Sequence, residues 1–203
     1  MSERPIALAL TGASGSAYGL RLLECLIHAG KTIYFLMSDS ARAVLEIEGG
    51  EVFPGEPKAL EQYLNERCQA KKNQIRVFGK QDWLSPLASG SNSVHQMVIC
   101  PCSSGCVAAV AHGMSNQLIE RAADVILKER RQLIVVHRET PLSTLHLENL
   151  LKLAQMGAVI LPASPGFYHR PETVQDLVDF VVARILDHLG VGHDLVPRWG
   201  GVV

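Results

Sequence analysis

Five short apolar runs, each ending in small or polar residues and followed by a helical pattern, constrain this chain more than any other feature. They are Ile6–Leu10, Thr32–Met37, Met97–Cys100, Leu133–Val136 and Ala158–Leu161. Such uniform apolarity marks strands covered on both faces, as in a parallel sheet. Helical spacing fills 16–29, 41–48, 106–111, 118–129, 145–156 and 172–189. A surface helix over Lys58–Lys72 and a short strand over 75–78 complete the pattern. Pro101 is expected to end the third long strand. Strand and helix alternate, so the expected fold is one doubly wound α/β domain, Rossmann-like or flavodoxin-like, with a mainly parallel sheet. With 203 residues the chain suits a single domain over 1–203, of which 190–203 form a C-terminal tail.

Charge and cysteine usage narrow the function classes. Nineteen basic residues face 20 acidic ones, which leaves no basic field for nucleic acid. The apolar runs are too short to span a membrane, and the first is too short for a signal peptide. Five cysteines, three of them within Cys100–Cys106, suit a reducing cytosol better than a disulfide framework.

Ligands of doubly wound sheets bind outside the carboxyl ends of the strands. There the chain has Thr11-Gly-Ala-Ser-Gly-Ser16, Ser38-Asp39, Pro101-Cys-Ser-Ser-Gly105, His137-Arg-Glu-Thr140 and Pro162-Ala-Ser-Pro-Gly-Phe-Tyr168. Three small-residue loops leading into helix N-termini predict a phosphate site. The dinucleotide fingerprint, the P-loop and the nucleophile elbow all fail in the first loop. Asp39 stands where a ribose-binding acid would, which leaves an NAD reading open. Cys100, Cys102 and Cys106 lack structural-zinc spacing, and His112, His137 and His169 form no ligand pattern, so no metal is expected. Arg121 and Lys128 share one helix face, and Arg138 follows the fourth long strand. Arg184 lies between buried-type neighbours in the last helix and must find a partner, either a helix-face Asp or Glu, with its stem packed and its head toward water, or a bound anion. A solvated face or an anion explains Arg121 and Lys128 equally well.

Several segments together resemble the flavin prenyltransferases of the UbiX family. They are Thr11-Gly-Ala-Ser-Gly15, Ala88-Ser-Gly-Ser91, Cys100-Pro-Cys-Ser103, Arg121–Arg131, Arg138-Glu139, Pro162–Tyr168 and Val181–Leu186, and the match runs from about Pro5 to Trp199. The resemblance implies FMN as bound flavin and a homododecamer with active sites between subunits. It implies transfer of a dimethylallyl group from dimethylallyl monophosphate to reduced FMN. The prenylated FMN would serve a UbiD-family decarboxylase, often in ubiquinone synthesis.

Carried over by position, Gly12, Ala13, Ser14, Ser38, Ser103, Ser104, Gly105, Cys106 and Arg138 would hold FMN. Arg121, Lys128, Arg138, Glu139, Tyr168 and Arg184 would bind the prenyl phosphate. Ser14 and Glu48 would assist proton movement beside the flavin, Lys128 would stabilise the leaving phosphate, and Glu139 would protonate it if its pKa is raised. Trp83 and Trp199 are candidates for an aromatic lining around the prenyl cation. Two positions depart from the family pattern. Cys106 replaces a hydroxyl residue, and Gln117 stands where many members have Asn. An FMN-dependent cysteine decarboxylase-like flavoprotein and a non-catalytic flavin carrier are the alternatives.

Overall fold

A computed structural model describes residues 4–91 and 94–198. Its elements in chain order are β1 Ile6–Leu10, α1 Ser16–His28, β2 Ile33–Met37, α2 Asp39–Gly49, α3 Pro57–Arg67, β3 Ile75–Val77, β4 Gln96–Cys102, α4 Ser104–Ala111, α5 Leu118–Lys128, β5 Gln132–His137, α6 Thr144–Gln155, β6 Val159–Ile160 and α7 Val174–Leu189. The six strands form one sheet in the order β3-β2-β1-β4-β5-β6, and every pairing is parallel. This is the doubly wound architecture expected from the alternation of strand and helix. The order reverses between β1 and β4, so a crevice opens at their carboxyl ends.

Each strand supplies both faces. Ile6, Leu8 and Leu10 of β1 point into a core shared with α1, α2, α3 and α7, and Ala7 and Ala9 into a second core beneath α4, α5 and α6. Full burial of one such aliphatic side chain contributes about 1.5–3 kcal/mol. The small side chains of β1 let helices approach closely. A Cβ at Gly19 would lie 2.4 Å from the Cys100 carbonyl oxygen and 2.9 Å from Leu10 Cγ, so glycine there seats α1 directly on β1 and β4. The N-terminus of α1 is thereby held at the switch point.

Of the boundaries that differ from expectation, two show their cause. β4 does not stop at Pro101 but continues to Cys102, across a register shift between Ile99 and Cys102. Proline is tolerated in an irregular part of a ladder because its missing N–H is not needed there. Its carbonyl is used instead, by the N–H (3.1 Å) and Oγ1 (2.9 Å) of Thr11. The helix expected over Lys58–Lys72 ends at Arg67, because Gln69 takes a left-handed φ of 50° and the Ala70 N–H turns back to the Asn65 carbonyl.

Among the described residues no helix is long and apolar enough to cross a membrane, and all five cysteines are free thiols. Trp199, Asn92, Ser93 and the last four residues of the tail lie outside the described residues.

Candidate active site

Two helix N-termini meet at the switch point. Ser38 caps α2 by accepting the Ala41 N–H at 3.0 Å, and Ser103 caps α4 by accepting the Cys106 N–H at 3.3 Å. The remaining N–H groups of each first turn have no intrahelical acceptor. Between them lies a cavity of about 270 Å³, walled by Thr11, Ser38, Ser40, Ser103, Gly105 and Cys106. The Thr11 hydroxyl ties the β1 loop to this wall by accepting the Ser103 N–H at 2.8 Å. Gly12 is required by contact, since a Cβ there would come 2.5 Å from both Cβ and Oγ of Ser40. Two convergent N-termini with serine hydroxyls have the chemistry of a phosphate-monoester cradle. The phosphate end of FMN fits this donor set.

The third loop does something else. Gly15, at φ 98°, begins α1 without a side-chain cap of its own. The carboxylate of Glu48, from the end of α2, supplies it. Glu48 Oε1 accepts the Gly15 N–H at 2.9 Å, and Oε2 accepts the Ser16 N–H at 2.9 Å and the Ser16 hydroxyl at 2.6 Å. The expectation of three phosphate-binding N-termini is therefore corrected to two, because this one already carries an anion. Partial burial pushes the Glu48 carboxyl up, but hydrogen bonds from the Ser14 and Ser16 hydroxyls and from both N–H groups outweigh it and hold the pKa below the ordinary value. The expected pairing of Ser14 with Glu48 is present.

A carboxyl depressed in the folded state stabilises above its unfolded pKa and ceases to do so as pH falls through the folded value. Glu48→Ala should therefore cost about 0.5–2 kcal/mol at pH 7.5, the usual range for a lost cap. The gap to the parent should shrink below about pH 4. Denaturant melts at both pH values check this, and a gap that does not change with pH would show that Glu48 does not cap as an anion.

Arg138 and Glu139 follow β5 on the other side of the crevice. Arg138 Nε donates to the Ser14 carbonyl at 3.1 Å, which pins the first loop from above. Glu139 Oε2 accepts the Ser104 hydroxyl at 2.8 Å, and this bond, followed by the Thr140 N–H, holds the carboxyl below its ordinary pKa. The raised pKa on which its role as an acid was conditional is therefore not present in the chain alone. The Ser104 hydroxyl is engaged here, so Ser104 can serve the cradle through its backbone N–H. Asp39 is engaged as well, by Lys80 Nζ at 2.5 Å and Arg42 at 3.2 Å.

The remaining predicted residues stand apart. α5 begins beside the cradle, where Gln117 donates to Glu120 at 3.2 Å, and runs antiparallel to the strands. Arg121 is fastened to the Ala88 carbonyl (3.1 Å) and Asp124 (2.8 Å). Lys128 lies ten residues beyond Leu118, about 15 Å along the helix. There it pairs with Glu129 at 2.5 Å, which shares a groove with Arg4 and Pro5 at the amino edge of the sheet. α7 also runs toward that edge, and its final carbonyls at His188 and Leu189 accept from Gln132 and Gln96 at the starts of β5 and β4.

Arg184 is therefore nearer the amino edge than the cradle. It is exposed and bonded to Asp187 at 2.6 Å, a partner on its own helix face. Tyr168 is 64 % exposed and meets Phe180 edge to face at 5.7 Å. Trp83 is 41 % exposed on the segment between β3 and β4. Among the described residues no three His, Cys, Asp or Glu side chains are grouped to hold a metal ion. Cys100 and Cys102 are buried, and burial raises the Cys100 thiol.

Sequence reasoning placed Thr11 and Ser16 in the first ligand loop without a role of their own, and it missed Ser40 and Glu120 as site residues. Ser40 had a local signal, two residues after the Ser38 cap.

A doubly wound sheet with a two-helix phosphate cradle at its switch point defines a mononucleotide-binding α/β protein. The flavoprotein family model matches residues 1–186. The flavin prenyltransferase UbiX of Pseudomonas aeruginosa is 58 % identical over 195 residues, covering 96 % of this chain and 93 % of that protein. AnUbiX, solved in complex with FMN and dimethylallyl pyrophosphate, superposes with a TM-score of 0.87 at 36 % identity, covering 99 % of this chain and all of that one (100 %). A dodecameric FMN-dependent UbiX-like decarboxylase from Escherichia coli O157:H7 gives a TM-score of 0.84 at 36 % identity, over 98 % and 100 % of the two chains. The chain belongs to the UbiX flavin prenyltransferase family of flavoproteins.

Proposed function

We propose that this chain transfers a dimethylallyl group from dimethylallyl monophosphate to reduced FMN. The observation that carries the reading is the cradle between α2 and α4, set beside the Ser14–Glu48 pair and facing Glu139, in a chain of this family. When bound, reduced FMN supplies the nucleophilic ring that accepts the prenyl group. The first-turn N–H groups and serines of the cradle bind its phosphate. Arg138 holds the Ser14 loop against the ring, and the Ser14 hydroxyl and Glu48 carboxylate stand ready to take up and pass a proton. Arg121, Lys128, Tyr168 and Arg184 would neutralise the departing prenyl phosphate.

Within one chain Lys128 and Arg184 lie toward the opposite end of the sheet from Glu139. A complete prenyl-phosphate site then draws them from neighbouring copies. Assembly into a dodecamer like the Escherichia coli relative supplies those copies. Leu145, Leu147 and Leu151 of α6 are all more than half exposed, at 59 %, 54 % and 58 %, and provide apolar surface for it. The product would pass to a UbiD-family decarboxylase. Five unpaired cysteines suit a reducing cytosol.

Anaerobic incubation of the reduced, flavin-loaded protein with dimethylallyl monophosphate tests the reading by mass spectrometry of the flavin. Gain of one C5 unit is the expected result, and unmodified flavin would make the chain a carrier. The same assay with the pyrophosphate decides the donor. Ser14→Ala should keep FMN bound, because backbone N–H groups hold the phosphate, yet slow the transfer about ten- to a hundredfold, the worth of one hydrogen bond to a charged group. Turnover at the parental rate would reduce Ser14 to a turn residue.

A further inference from the structure

A hydrogen-bonded chain behind Glu139 has no part in the reading above. His137, the last residue of β5, is only 4 % exposed. Its Nε2 lies 3.0 Å from Ser104 Oγ, and the same oxygen lies 2.8 Å from Glu139 Oε2. A serine hydroxyl has one proton to give, and a carboxylate can only accept. The Ser104 proton therefore goes to Glu139, and Ser104 Oγ accepts from His137. That order fixes the neutral imidazole as the Nε2–H tautomer. Nothing in this arrangement is needed to cap α4, since Ser103 does that.

We propose that His137, acting through the Ser104 hydroxyl, is a positioning residue and proton store for Glu139. The proposal rests on the prenyltransferase reading for the use made of Glu139. The transfer balances with one proton taken up from solvent at Nδ1 of the neutral ring, which makes it an imidazolium. Imidazolium His137 gives its Nε2 proton to Ser104 Oγ while Ser104 gives its own proton to Glu139 Oε2. The result is neutral His137 protonated on Nδ1, an unchanged serine, and a carboxylic acid able to donate to an oxygen of the departing phosphate.

The neighbours of His137 set when it is charged. Burial disfavours the imidazolium most, Glu139 favours it, and His146 of α6 and the adjacent Arg138 oppose it. Cys102, paired with His137 across β4 and β5, stays a neutral thiol, because its contact with Cys106 and its burial push its pKa well up. The balance holds the imidazole below its ordinary pKa, and a phosphate dianion beside Glu139 would raise it. Glu139 and His137 then titrate as one pair holding one proton.

The test uses the assembled, flavin-loaded protein. His137→Gln keeps an N–H to offer Ser104 but cannot store a proton. With dimethylallyl monophosphate, the alkaline fall of kcat should move to lower pH by about one unit or more, which makes the variant about tenfold slower at pH 7.5 and restores it below about pH 6. KM should stay within about threefold of the parent, because the phosphate ligands are intact. A pH profile superimposable on the parent's, or an equal loss at every pH, would overturn the proposal.

A second arm needs no turnover. In 15N solid-state spectra of histidine-labelled protein, the His137 signals are assigned by their loss in His137→Gln. They should show the Nε2–H tautomer and titrate at lower pH in Glu139→Gln. An Nδ1–H tautomer, or a titration indifferent to Glu139→Gln, would overturn the chain itself. Should the parent form no prenylated flavin, the functional reading falls while these spectra still decide the hydrogen-bonded chain.

Discussion

Co-assembled Lys128→Ala and Glu139→Gln chains, each nearly inactive alone, should regain turnover when mixed. The expectation comes from the ends of α5 and β5. Lys128 closes a helix that runs to the amino edge of the sheet, whereas Glu139 follows a strand that ends at the carboxyl edge. One chain cannot bring both to a single phosphate. Loss of either group removes a charge-assisted contact worth about 1.5–3 kcal/mol, a tenfold to hundredfold loss of rate. In a symmetric oligomer mixed at random from equal parts, about a quarter of the sites would combine an intact Lys128 from one copy with an intact Glu139 from another. Recovery to roughly that fraction after unfolding and joint refolding is the expected measurement. If mixtures are no more active than the average of the two variants, both residues act from the same chain and the composite site is wrong.

Gly105→Asp should abolish FMN binding while leaving the fold slightly more stable. A Cβ at Gly105 meets no atom within 4 Å, so the side chain has room beside the cradle. The new carboxylate lies in the first turn of α4, where a negative charge stabilises by about 0.3–1 kcal/mol. The same field is what a phosphate would use. A fixed negative charge about 4 Å from the phosphate costs about 4 kcal/mol at an effective dielectric constant near 20, or roughly a thousandfold in Kd. Titration of FMN by fluorescence quenching measures the loss, and thermal melts measure the gain. Gly105→Asn separates charge from bulk. If Asn weakens FMN as much as Asp, the effect is steric and the cradle does not hold the phosphate.

The strands were legible because a buried parallel sheet leaves no polar alternation to confuse the pattern. The β1 run of alternating large and small residues even carries the difference between the two cores. What was not legible depended on partners distant in sequence. Pro101 reads as a strand stop, and only the crossing Thr11, 90 residues away, shows why β4 can continue through it. Glu48 looks like an ordinary acid at a helix end, and its partner Gly15 lies 33 residues earlier. Arg184 is a different case. Its neighbours in sequence, Ala183 and Ile185, are buried, but neighbours in sequence are not neighbours on a helix. The buried set Val178, Val181, Val182, Ile185, Leu186 and Leu189 follows the i, i+3, i+4 rule, and Arg184 falls on the opposite face. A helical-wheel reading would have placed it in solvent. His137 read as a loop residue because its strand ends one position later than the apolar run.

The internal carboxylate at the start of α1 has a bearing on release. In the proposed reaction the flavin is an acceptor that must depart, carrying its new ring, after every cycle. Many cofactor sites collapse when emptied, because the ligand satisfies the loops that surround it. Here Glu48, Ser38 and Ser103 cap the three helix starts from within the chain, and the other first-turn N–H groups of α2 and α4 stay open to a phosphate. These caps hold the loops around the crevice. Loops that do not depend on the guest for their caps suit a protein whose product is made to be used elsewhere.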